Sequence, residues 1–197
     1  MNNTSKEVNR IAVYCSSSDH IRKEYFDQAD GLGALMAANQ LDLVYGGGMV
    51  GLMGQVAKSI KNHQGHTIGV VPEALRIDGV VNTIDDELII TPDMHTRKAK
   101  MIELADGFIG LAGGFGTLEE MLEVMTLKQL GYHEKPIVFL NTEGYYSHLF
   151  EMFEHIYAEN FAKAEYRQLY HISDTPESAI EYLKQYQPPQ LPDKWFV

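Results

Sequence analysis

Residues Leu41–Gly54 read LDLVYGGGMVGLMG, and they decide the fold. A short apolar run, Leu41–Tyr45, stops at Gly46-Gly47-Gly48, and a segment of helical spacing opens at Gly51. Five glycines between Gly46 and Gly54 mark a strand-to-helix turn whose backbone takes positive φ and comes close to whatever lies against it. The same alternation recurs on both sides. Further strands are expected at Ile11–Cys15, Thr67–Val71, Leu88–Thr91, Gly107–Leu111, Ile137–Leu140 and Tyr170–Ile172. Helices are expected at Lys23–Asn39, Gly51–His63, Met94–Ala105, Thr117–Leu130, Tyr146–Asn160 and Pro176–Tyr186. Most strand runs are continuous in Val, Ile, Leu and Tyr, as in a parallel sheet buried on both faces. The order reads β-α-β-α throughout, which predicts an α/β fold: a doubly wound, mostly parallel, Rossmann-like sheet with helices on both faces.

One domain, 10–186, accounts for this pattern. A polar N-terminal tail, 1–9, is expected to be flexible. A Pro-rich C-terminal tail, 187–197, ends in Trp195 and Phe196, which are expected to dock on a neighbouring surface.

The 197 residues are 45% hydrophobic and 22% charged, with a net charge of −11, too apolar for disorder and long enough for a substantial core. The acidic balance offers no electrostatic footprint for nucleic acid or an anionic membrane, so neither partner is expected and an anionic ligand must be held by local groups. The single cysteine, Cys15, allows no internal disulfide and fits a small buried hydrophobe in a reduced, cytoplasmic chain. Met1–Asn9 has no apolar run that reads as a secretory leader, and no stretch approaches the ~18 apolar residues of a membrane span.

In a doubly wound sheet, ligands sit at the carboxyl ends of the strands where the strand order reverses. Three loops occupy such positions. Cys15-Ser16-Ser17-Ser18-Asp19 brings hydroxyls, with Ser16 and Ser17 suited either to an anion or to ordinary helix capping. Gly46, Gly47 and Gly48 open the second loop, which lacks a Walker ending. Gly46, Gly48 and Gly51 satisfy G-x-G-x-x-G, and with Glu73 beyond a later strand they sustain an alternative, NAD(P)-dependent oxidoreductase reading. Turn geometry and helix–sheet packing alone account for some of these glycines. The third loop, Ala112-Gly113-Gly114-Phe115-Gly116-Thr117-Leu118-Glu119-Glu120, again leads into a helix, with Thr117 placed to cap it. Two such loops are expected to converge on one anionic ligand.

Charged residues occupy positions that helical spacing assigns to a buried face. From an N-cap at Asp93 the inward stripe reads Met94, Arg97/Lys98, Met101/Ile102, Ala105. A basic pair there either meets an anion or snorkels towards acids. Arg97 is the stronger candidate, because guanidinium keeps its charge on burial and forks two hydrogen bonds. In the helix from Thr117 the buried stripe reads Leu118, Met121, Leu122, Met125. Glu120 lies off it, beside Val124 and Leu127, a second apolar side that reads as a homodimer contact. Thr117-x-x-Glu120 also fits a capping box, so capping and catalysis carry equal weight for Glu120. The histidines, among them His63/His66 and His148/His155 with Glu151, give no metal-ligand spacing.

At these residues the sequence resembles the Lonely Guy (LOG) family, the cytokinin riboside 5′-monophosphate phosphoribohydrolases, called lysine decarboxylase-like in older usage. The resemblance rests on GGGMVGLMG (46–54), DMHTRK (93–98), AGGFGTLEE (112–120) and LEVMTLKQLGYHEKP (122–136), and spans about 10–186. It implies a homodimeric hydrolase of the cytokinin biosynthesis class, without metal or cofactor, that frees the base from an adenosine-type monophosphate (AMP or its prenylated form) and leaves ribose 5-phosphate. It places the essential arginine on Arg97 and the essential glutamate on Glu120. Lys98, Gly113, Gly114, Phe115, Gly116, Thr117, Leu118 and Thr126 fall on its nucleotide-contacting positions. Departures are Ala112 where proline is usual, Leu127-Lys128 where Trp-Ala is common, and Gly79 where plant members carry a glutamate. No lysine stands in a recognisable Schiff-base setting, so the decarboxylase label has no support.

The expected chemistry follows from the bond. Cleaving C1′–N9 builds positive charge on the sugar; a carboxylate beside C1′ stabilises it and takes a proton from the attacking water. Glu120 is assigned that role and Arg97 orients it. Met94, the glycine loops, Ser16 and Ser17 are expected around the nucleotide and its phosphate. The alternative of another class is a nucleotide or cofactor carrier with this architecture and no turnover.

Overall fold

The computed structural model describes residues 8–193. Its core is a seven-stranded, all-parallel sheet with strands β1 (Arg10–Tyr14), β2 (Asp42–Tyr45), β3 (Thr67–Pro72), β4 (Glu87–Thr91), β5 (Gly107–Gly110), β6 (Ile137–Leu140) and β7 (His171–Ser173). The order across the sheet is β4-β3-β2-β1-β5-β6-β7, so the chain winds one way from β1 and then returns to wind the other way from β5. The switch lies between β1 and β5, where Tyr14 pairs with Gly110.

Helices α1 (Lys23–Ala38), α2 (Gly51–Asn62) and α6 (Pro176–Gln185) carry Leu32, Met36, Val56, Ile60, Ile180 and Leu183 into one core layer with Ile11, Val13 and Cys15. Helices α3 (Met94–Leu104), α4 (Phe115–Gln129) and α5 (Ser147–Ala158) cover the other face, where Met101, Met121, Val124 and Phe153 meet Ala12 and Tyr14. Period-2 alternation along β1 thus feeds two cores, which is why its apolar run is unbroken.

The β-α alternation is interrupted once, in the stretch where the expected spans place no helix. Between β3 and β4 there is no α-helix, only a short 3-10 turn at Glu73–Leu75 and a loop. That loop doubles back over the glycine turn: Asn82 N donates to Gly47 O, Met49 N donates to Val80 O, and Gly48 bridges to Val81. A polar knot below holds it, in which Tyr45 Oη donates to Asp85 and accepts from Asn82 Nδ2. At the edge of the sheet, β4 leaves Glu87 and Leu88 exposed. Gln187–Asp193 lies along the body, with Leu191 against the second core. The expected docking of Trp195 and Phe196 concerns positions outside the described residues.

Candidate active site

Asp93 starts α3 with a full capping box: its side chain accepts from Thr96 N, and Thr96 Oγ1 accepts from Asp93 N. This fixes the helix rotation and sends Arg97 inward, 8% exposed. There Nε donates to Val70 O at 3.1 Å and Nη1 donates to Glu120 Oε1 at 2.7 Å. The Nη2 side faces Gly46, where an added β-carbon would stand 2.2 Å from it. Gly46 is therefore glycine because the guanidinium occupies the space of a side chain. Met94, one turn earlier, is exposed.

Glu120 is turned to Arg97, not back to its own helix. The N-cap of α4 is Gly114, without a side-chain cap bond, so Thr117 is not the cap that its spacing suggested. Thr117 is instead buried behind Gly113, whose missing β-carbon would fall 2.1 Å from its Oγ1. Burial raises the Glu120 pKa above the ordinary carboxylate range, and Arg97 offsets part of that rise. The neighbouring Tyr14 hydroxyl is held neutral by burial and by the charge of Glu120.

Lys98 takes the other option open to a basic residue at that spacing. Its Nζ pairs with Glu119 and with Glu123 at 3.2 Å, leaving the charge compensated within the protein.

The two glycine loops differ in what they offer. At α2, Gly51 N donates to Asp19 Oδ1 and Leu52 N donates to Ser16 O, both at 2.9 Å, so the leading N–H groups of that helix already have partners. Ser16 Oγ accepts from Ser18 N, an ordinary turn bond. At α4 the terminus is open: Gly114, Phe115 and Gly116 are exposed, and a β-carbon on Gly114 or Gly116 would meet nothing within 4 Å. Ser16 N donates to Ala112 O, which joins this loop to the β1 loop with Ser17 exposed between. The loop is propped from behind by Tyr145 Oη on Gly113 O at 2.6 Å and Tyr146 Oη on Leu111 O at 2.5 Å. Sequence reasoning passed over both tyrosines and Asp19; the polar tips of Tyr145-Tyr146 at a helix start were the available signal.

Leu118 is half-buried beside the second core. Thr126 stands apart: six residues beyond Glu120, about 9 Å along the axis, its Oγ1 donates to Leu122 O and it borders an apolar groove. Of the two apolar sides expected on α4, Val124 is fully buried in the core and so is no subunit contact, whereas Leu122, expected inside, is exposed. Glu73 is exposed and lies near Arg76, and Gly46 is filled by Arg97; neither supports a dinucleotide site. Among the described residues no cluster of His, Cys, Asp and Glu could hold a metal, and no helix is long and apolar enough to cross a membrane.

A doubly wound parallel sheet with a buried Arg–Glu pair and a glycine-opened helix at its switch point defines an α/β protein of the Rossmann-like class. Solved structures agree on that class. The molybdenum cofactor binding protein from Rippkaea orientalis superposes with a TM-score of 0.69 at 23% identity, covering 91% of this chain and 98% of that one. The Moco carrier protein from Chlamydomonas reinhardtii gives 0.69 at 23%, covering 91% and 97%. The family model described as "Possible lysine decarboxylase" matches residues 53–183. The "Probable cytokinin riboside 5′-monophosphate phosphoribohydrolase LOGL2" of Oryza sativa subsp. japonica is 42% identical over 179 residues, 91% of this chain and 73% of that protein. The "Cytokinin riboside 5′-monophosphate phosphoribohydrolase LOG4" of Arabidopsis thaliana is 40% identical over 179 residues, 91% and 83%. The chain belongs to the Lonely Guy family of these phosphoribohydrolases.

Proposed function

We propose that the protein hydrolyses the N-glycosidic bond of an adenosine-type 5′-monophosphate, plain or prenylated, as the names of its relatives state for them. Water oxygen bonds to C1′ and gives up a proton, the C1′–N9 bond breaks with its electrons on the base, the base takes a proton from solvent, and the products are free base and ribose 5-phosphate. The observation that carries this reading is the buried Arg97–Glu120 pair set beside the open N-terminus of α4. In it, the phosphate lies on the N–H groups of Gly114–Thr117, favoured by the helix dipole, with Ser17 across the crevice. Glu120 stabilises the oxocarbenium-like sugar and takes the proton of the attacking water. Arg97 keeps Glu120 ionised and fixes its direction. Gly46 contributes by seating Arg97, and Gly47, Gly48, Met94, Lys98, Leu118 and Thr126 join the reading through the family resemblance.

A homodimer belongs to this proposal, with the exposed Phe115 and Leu122 of α4 at the contact in place of Val124. The reduced, buried Cys15 fits a cytoplasmic setting. Incubation with AMP and with prenylated AMP, followed by quantification of free base, tests the activity. Glu120→Gln is expected to bind nucleotide and release no base. Saturable binding by the unaltered protein with no base released would make it a carrier.

A further inference from the structure

Two ion pairs run side by side between α3 and α4, and the chemistry proposed above uses only one of them. Arg97 meets Glu120 at 2.7 Å, while its chain neighbour Lys98 meets Glu119 and, at 3.2 Å, Glu123. Helical geometry produces this arrangement. Glu119 and Glu123 are four residues apart and so lie one above the other on α4, with Glu120 about 100° further round the axis from Glu119. Unpaired, the two like charges would repel each other and add a negative field at Glu120. Lys98 is the cation that bridges them, with its side chain only 14% exposed against 56% for Glu119. Desolvation opposes its charge, but the two carboxylates outweigh that cost and keep Lys98 protonated.

We propose that Lys98 is a positioning residue for Glu120: it draws Glu119 and Glu123 onto itself, cancels their field at the catalytic carboxylate and braces α3 against α4 beside the Arg97–Glu120 pair. This role rests on Glu120 serving as the base, as proposed above. The titratable groups around Glu120 are Arg97 and Lys98 of α3, Glu119 and Glu123 of α4, Tyr14 of β1 and Cys15 just after it. Burial raises the pKa of both Tyr14 and Cys15, so neither carries charge there. The balance at Glu120 is therefore set by the two helices: beyond burial and the contact with Arg97, Glu119 raises its pKa and Lys98 lowers it. The family resemblance puts Lys98 at the nucleotide, whereas its pairing gives it a task within the protein, and experiment separates the two.

Lys98→Met keeps most of the bulk and removes the charge. It is expected to move the acid limb of kcat/KM for base release up by roughly 0.5–1 pH unit, which is about three- to tenfold less activity on that limb. Glu119→Gln and Glu123→Gln together, with Lys98 kept, are expected to move the limb down. Adding Lys98→Met to that pair is expected to bring it back towards the position in the unaltered protein. A limb that stays in place in Lys98→Met overturns the proposal. So does a loss that persists as a raised KM once both carboxylates are gone, which puts Lys98 on the nucleotide itself. A protein that releases no base from AMP or prenylated AMP refutes the hydrolase reading, and Lys98 is then tested through stability. The pH-dependent slope that Glu120 contributes to urea unfolding, measured against the matching Glu120→Gln protein, is expected to extend to higher pH in Lys98→Met; an unshifted slope ends the proposal.

Discussion

Gly46 and Arg97 share one volume: a β-carbon on the glycine would stand 2.2 Å from Nη2 of the arginine. The glycine turn and the buried ion pair, 51 positions apart in sequence, are therefore one device, and the turn can be tested through the chemistry. Gly46→Ala is expected to push the guanidinium off Glu120 and lower kcat/KM for base release by roughly 100-fold, since displacement of about 1 Å at a reacting group costs that much. Gly48→Ala serves as the control, because its β-carbon would press on the flexible end of Met53 at 3.0 Å and touch Val80 O at an ordinary 4.0 Å, away from Arg97. Equal losses in the two variants would mean that the turn, and not the seat of Arg97, is what activity needs.

Glu120 acts as a base only when ionised, and burial raises its pKa with Arg97 pulling it back. The acid limb of the kcat/KM profile is therefore expected above the usual carboxylate value, and Arg97→Ala is expected to move it higher still while reducing the maximum. Stability carries the same signature. A carboxyl with a raised folded pKa binds its proton more tightly in the native state, so it costs stability progressively as pH climbs from the ordinary value through the raised one. Glu120→Gln should abolish that slope in urea unfolding curves measured across the acid range. An unaltered slope would show that Glu120 titrates as an ordinary surface acid.

The fold was legible because the strands are short, apolar and punctuated by glycine, so periodicity alone separated them from helices that begin and end within a few residues of their expected bounds. The expected spans already leave no helix between β3 and β4, but the return of that loop over the glycine turn was not legible, because contacts made by Asn82, Val80 and Asp85 have no periodic signature. Arg97 was singled out by a charge at an apolar phase. Spacing left its partner undecided, since Glu120 lies off the apolar stripe and fits a capping box and a catalytic role equally well, and the distance to Arg97 decides between them. The start of α4 was misjudged for a related reason: Thr117 is a good cap by type, but the exposed glycine three residues earlier lets the helix begin sooner.

Two adjacent tyrosines should separate binding from folding. Tyr146 is almost fully buried and holds Leu111 O, so Tyr146→Phe leaves a buried carbonyl unpaired and is expected to lower stability by about 1–3 kcal/mol in denaturant unfolding. Tyr145 is partly exposed and holds Gly113 O in the open loop. Tyr145→Phe is expected to leave stability nearly unchanged and to raise KM for the nucleotide by loosening the N-terminus of α4. Unchanged KM would remove this loop from the phosphate site.

The fold buries Lys128: its Nζ donates to Leu169 O at 2.9 Å and lies 4.9 Å from the centre of the Tyr186 ring. Desolvation brings its pKa down from 10.5 to about 8. A lysine whose folded pKa is depressed burdens the native state at neutral pH, by at most about 3 kcal/mol for a shift of this size. Between pH 8 and 10.5 the native amine is neutral while the unfolded one still holds its proton, so stability attributable to this residue rises with pH across that window. Lys128→Met removes the titration and keeps the bulk, at the cost of one unpaired carbonyl at Leu169 that does not depend on pH. The free-energy difference between the two proteins should therefore favour the methionine variant more at pH 7 than at pH 10, as read from urea midpoints at both. Identical differences at the two pH values would mean that the amine stays fully charged in the fold, its burial compensated by Leu169 O and the Tyr186 ring.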